Sequence, residues 1–138
     1  MALYRCTSGS GGGMTETVLW TNPSPSSDFS TTSIDLGETI LNYDLLRVKV
    51  RANKVSGADQ RDYFFSTDSL YNSGGNTGIT FYLGAAQSGE FHVRRIWVLS
   101  ESPSIIRMSS GASDLRGPDW GTSSRYAYPI EIAGVKIS

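Results

Sequence analysis

One histidine, His92, and one cysteine, Cys6, are all the chain offers of the two side chains most used in catalysis and soft-metal binding. Nucleophilic attack by a serine needs a histidine to take its proton, and His92 lies between Phe91 and Val93 in a run of strand character. That is the setting of a solvated or core-edge histidine. A cysteine–histidine pair would have to bring Cys6 across most of the chain, and zinc asks for three or four suitable ligands, so no metal and no cofactor is expected. Asp68, Asn72 and Asn76 share a polar stretch but miss the spacing of a calcium loop. The glycines at 9–13 and 74–75 have neither the lysine of a phosphate-binding loop nor a strand-to-helix context. A glycosidase needs only two placed carboxylates, which Asp114 and Asp119 could supply, but paired acids in a polar loop are ordinarily just solvated. The chain is therefore expected not to be an enzyme.

Binding asks for less. Residues 109–121 read as the longest loop, and long loops in compact domains are often functional. Within it Trp120 offers a flat ring for a sugar face, with Asp119, Arg116 and Asp114 as polar partners for hydroxyl groups. The competing reading has Trp120 folded back to cap the core. A second candidate is the N-terminal segment, where Leu3, Tyr4 and Arg5 precede the flexible run Ser8-Gly9-Ser10-Gly11-Gly12-Gly13. Residues 1–14 are read as an assembly arm plus linker, against the plainer alternative of a frayed terminus. A lone Cys6 leaves no internal disulfide.

These side chains need a scaffold. The chain has 138 residues, 38% hydrophobic and 18% charged, with 15 glycines, which suits one domain with one core over residues 15–138. Runs rich in Val, Ile, Leu, Phe and Tyr, broken by Gly, Asn, Asp, Ser and Pro, predict strands at about 17–20, 29–36, 46–51, 62–67, 78–83, 90–99, 104–108 and 126–137. The clearest period of two puts Leu46, Val48 and Val50 on a core face and Arg47, Lys49 and Arg51 on a wet one. Residues 90–99 are apolar on both faces, which suits a central strand or one whose outer face meets a partner. Trp20 and Trp97 are expected in the core, residues 68–77 in a loop, a β-bulge at Ala133-Gly134, and Pro129 at a sheet edge or bulge. The predicted fold is all-β, a two-sheet β-sandwich, jelly-roll-like, of about eight short antiparallel strands with a flexible N-terminal arm.

A net charge of −1 gives no broad positive field, so neither nucleic acid nor anionic membrane is an expected partner. No stretch has the apolar length of a bilayer span, and residues 1–5 lack the run of a secretory signal, so synthesis in the cytoplasm is expected.

Several stretches resemble a family. Met1-Ala2-Leu3-Tyr4-Arg5-Cys6 before the glycines, Thr17-Val18-Leu19-Trp20-Thr21-Asn22-Pro23-Ser24-Pro25, the Phe29 run, Leu41-Asn42-Tyr43-Asp44 and the closing Tyr128-Pro129-Ile130-Glu131-Ile132-Ala133-Gly134-Val135-Lys136 are similar to small tail-associated structural proteins of phages of low-GC Gram-positive bacteria. None of these stretches is a catalytic signature. The resemblance implies a virion component near the tail tip or baseplate, homo-oligomeric with a trimer favoured, touching other tail proteins. A carbohydrate- or receptor-binding module that contacts host cell-wall glycan is the alternative.

Overall fold

A computed structural model describes residues 13–75, 79–87, 89–114 and 122–138. Ten strands, one α-helical turn and one 3-10 turn (Ile40–Asn42) occupy them: β1 (Met14–Thr21), β2 (Ser33–Asp35), β3 (Leu45–Asn53), β4 (Gln60–Ser66), α1 (Thr67–Leu70), β5 (Phe81–Gln87), β6 (Glu90–Trp97), β7 (Ile105–Met108), β8 (Ala112–Asp114), β9 (Thr122–Ser123) and β10 (Tyr126–Ile137). The all-β, two-sheet sandwich expected from the sequence is the observed fold. Sheet A has the order β1-β10-β3-β4, and sheet B runs β2-β7-β6-β8-β9 with β5 on the other side of β6. All pairings are antiparallel. The first and last strands lie side by side, and the chain changes sheets between β1 and β2, β2 and β3, β4 and β5, and β9 and β10.

Period-2 patterning builds the core. Leu46, Val48 and Val50 of β3 are at most 1% exposed and face Ile96, Ile106, Met108 and Leu83 across the sandwich in one cluster with Ile132. Each such side chain contributes about 1.5–3 kcal/mol by leaving water. The predicted strand at 90–99 is β6, and it is central: β5 covers one edge, while β7 pairs with its end and β8 with its start on the other.

Several elements depart from the expectations. Only Ser33–Asp35 of the run 29–36 is strand, yet Phe29 is buried in the core from the loop before it. The strand predicted at 78–83 lies at Phe81–Gln87 and turns into β6 through a two-residue hairpin whose Gly89 has φ +81°. A left-handed residue there is what such a tight turn requires. The stretch 68–77 begins inside α1, capped by Ser66 and anchored by Leu70 and Ser73, both buried. No register shift falls at Ala133-Gly134; the shifts are at Pro129/Glu131 and Val18/Trp20. Pro129 thus sits at a bulge as expected, which lets a central strand carry a residue with no donor. Gly134 is needed for space: a Cβ would meet three carbons of the Tyr43 ring at 2.5–2.6 Å.

The arm residues Leu3, Tyr4 and Arg5 lie outside the described residues.

Candidate functional site

The basic face of β3 is the first surprise. Arg47 and Arg51, expected in water, are 8% and 6% exposed. Arg47 donates to Glu16 of β1 at 2.6 and 2.9 Å, to Glu131 of β10 at 2.7 Å and to Asp62 of β4 at 3.1 Å, so one guanidinium ties together all four strands of sheet A. These bonds hold the Glu16 carboxyl below its ordinary range and raise Arg47. Arg51 instead donates to backbone carbonyls, those of Pro25, Lys54 (2.9 Å) and Asn53 (3.3 Å), and lies 5.3 Å from the Tyr128 ring centre. Both arginines brace the fold.

Arg94 braces it from inside. It shares the inward face of β6 with His92 and Ile96 and is fully buried. No carboxylate answers it among the described residues; it donates to the carbonyls of Ala127 (3.1 Å), Tyr126 (3.0 Å), Ser109 (2.9 Å) and Phe29 (3.4 Å), and sits 5.3 Å from the Phe29 ring centre. Burial pulls the guanidinium down to about 10, which leaves it charged at neutral pH. Ala127 adopts φ +44°, a conformation L residues avoid, and with Tyr126 it turns two consecutive carbonyls onto Arg94.

His92 is also inward and 4% exposed. Its Nε2 lies 3.3 Å from Glu90 without hydrogen-bond geometry, and its ring is 4.3 Å from that of Tyr126. A core-edge histidine was the expectation.

Of the binding residues singled out in the sequence, Arg116, Asp119 and Trp120 lie outside the described residues. Asp114 does not belong to an open loop: it ends β8, and its backbone pairs with His92. The run 109–121 therefore contains a strand where the sequence suggested continuous loop.

Two surfaces remain. The first is the outer face of β5 and β6. Tyr82 and Phe91 are 49% and 47% exposed there, and the Phe91 ring lies over Gly84, where a Cβ would collide with it. Trp97, expected in the core, is on this outer face and only partly buried, with the Arg95 guanidinium 4.6 Å from its ring centre. Arg107 pairs with Trp97 from β7. The buried Nε atoms of Arg95 and Arg107 have no acceptor among the described residues. Tyr82 pairs with Arg95 and Trp97 follows two residues on, while Phe91 stands further along the same face, opposite Ala86 and with its ring over Gly84, so this face is aromatic and basic.

The second surface is a cleft of about 470 Å³ between β1 and β2, the edge strands of the two sheets on the same side of the sandwich. Trp20 and the buried Phe29 and Ile34 supply its apolar lining, and the Trp20 ring meets Phe29 edge to face at 5.9 Å. Asp28, Thr31, Ser33 and Asp35 supply its polar lining and are exposed. The loop that frames it is tightly held. Asn22 donates to the carbonyls of Ile130 (2.8 Å) and Pro129 (3.0 Å) and accepts from the Ser24 N–H (2.8 Å). The Tyr128 hydroxyl donates to the carbonyls of Ser24 and Ser27, and Lys54 pairs with Asp28 at 2.6 Å.

No family model, curated protein or solved structure matches this chain. Its functional reading rests on the two surfaces and on the residues quoted above.

The outer face of 90–99 was half legible, offered as one that could meet a partner while Trp97 was expected in the core; the cleft was not. The outer patch follows from placing Trp97 outside rather than inside, and the apolar residues on both faces of 90–99 were the available signal. For the cleft, the signal was a tryptophan set directly before the two-proline run Asn22-Pro23-Ser24-Pro25.

Proposed function

We propose that the chain is a non-enzymatic structural subunit of a phage virion, associated with tail or baseplate, that assembles with copies of itself through the outer face of sheet B. The virion setting is drawn from the family resemblance of the quoted stretches. The observation that carries assembly is the outer face of β5 and β6, where Tyr82 and Phe91 are about half exposed and Arg95 and Trp97 partly so, although both faces of β6 are apolar enough to be covered. Contiguous exposed apolar surface of this kind marks an interaction site, and aromatics with arginine are the side chains enriched at such interfaces. The occupant argued for is a second copy, in keeping with the homo-oligomer that the family resemblance implies. A trimer is a ring of heterologous contacts, so the patch meets a different surface of the next copy. Other tail proteins would contact the finished ring.

Light scattering on the full chain tests this reading. A stable oligomer, a trimer first, is the expected result; a protein that stays monomeric at high concentration contradicts it.

A further inference from the structure

We propose that the cleft between β1 and β2 is a binding site for a neutral saccharide. Its lining combines what a pyranose needs from a protein. Trp20 is partly exposed in the cleft and backed by Phe29, giving a braced apolar surface for the hydrophobic face of a sugar ring. Around it stand the hydroxyls of Thr31 and Ser33 and the carboxylates of Asp28 and Asp35, acceptors suited to sugar hydroxyls. One oxygen of Asp35 accepts the Gly37 N–H at 2.8 Å, and the other takes no bond among the described residues.

The same residues select against other ligands. Asp35, which has no cationic partner among the described residues, would repel a phosphate or an acidic sugar. A metal ion would need more: among the described residues no group of three His, Cys, Asp or Glu side chains stands together, and Asp28 is already paired with Lys54. A purely apolar ligand would leave the carboxylates unsolvated. Because Arg51 of β3 and Tyr128 of β10 hold the framing loop, and Asn22 of that loop is itself tied to β10, the cleft is formed before any ligand arrives, which lowers the ordering cost of binding. The site does not depend on the assembly reading, since the patch on the outside of β5 and β6 shares none of its residues.

The test is a set of titrations of the isotope-labelled full chain followed by amide NMR, with maltotriose and tri-N-acetylchitotriose as neutral probes and sialyllactose as the acidic one. The expected result is saturable shifts on Thr31, Ser33 and Asp35 with at least one neutral probe and none with sialyllactose. Asp35→Ala, an exposed change that leaves the core intact, should weaken that binding at least fivefold, and Trp20→Ala should abolish it; Trp20→Phe, which keeps a ring if the alanine variant fails to fold, should retain part of it. No saturable shift with either neutral probe, shifts confined to another surface, or unchanged affinity in Asp35→Ala overturns the proposal. Repeating the titration on a Tyr82→Glu, Phe91→Glu variant separates this site from assembly, because its affinity should be unchanged.

Discussion

Arg94 shows most clearly how one side chain can organise this molecule. A buried guanidinium satisfied by four carbonyls is worth more to the fold than its net energy suggests, because its removal orphans every acceptor at once. Arg94→Met should cost at least about 3 kcal/mol, read as a lower urea midpoint with an unchanged denaturant slope. Arg94→Lys should recover little of it, since an ammonium lacks the planar fork that reaches Tyr126, Ala127 and Ser109 together. Period-2 alternation puts residue 94 on the face of His92 and Ile96, which β6 turns inward, whereas the charge of an arginine by itself gives no sign of burial. Arg47 tells the same story on the outer face, with a consequence in acid. Glu16 titrates below its ordinary value because Arg47 holds it, so its contribution is present above about pH 4.5 and is lost as pH falls through the depressed folded-state value. Stability should be level from pH 7 to 5 and decline below that. Glu16→Gln, at a carboxylate 43% exposed, should cost less than about 1 kcal/mol at pH 7 and make the acid decline shallower in thermal melts.

The period of two across 46–51 and 90–97 survived into β3 and β6 because each has a core on one side and enough covering on the other. What pattern could not give was register. β5 was misplaced because Gly84, Ala85 and Ala86 have weak strand preference, and their pairing with Val93, His92 and Phe91 is set by the turn at Gly89 and by Leu83 docking beside Arg94. The bulge expected at Ala133-Gly134 was inferred from a change of phase in apolar residues. In the fold Val135 is buried on the outer side of sheet A opposite Leu45, so the phase change needs no extra residue. Gly134 has its own reason, the Tyr43 ring packed on it. Gly134→Ala should therefore destabilise by about 1–3 kcal/mol, the usual cost of overpacking, while Gly57→Ala, with open space around it but φ +97°, should cost through backbone strain alone. Thermal melts of the two variants, with Gly134→Ala paired with Tyr43→Ala, separate the causes: the double variant should relieve the clash.

At the scale of the whole molecule, the described residues leave the aromatic outer face of sheet B partly exposed and a cleft open at the β1–β2 seam. The all-β class was legible because it is written locally, in alternation and in turn residues. Strand order, and with it the meeting of β1 and β2 at one seam, is a long-range property that no local spacing encodes, so Trp20 looked like a core residue and the cleft was invisible. Arg116, Asp119 and Trp120 remain candidates of the sequence alone. The central claim is assembly through the face of β5 and β6, and sedimentation velocity on three full-length proteins tests it most directly: wild type, Tyr82→Glu with Phe91→Glu, and Val55→Glu in the β3–β4 turn, a position 63% exposed and off that face. Wild type and Val55→Glu should sediment as the same oligomer and the double variant as a folded monomer with unchanged circular dichroism. An oligomer of the same size in all three proteins, or a monomer in all three, would contradict the account.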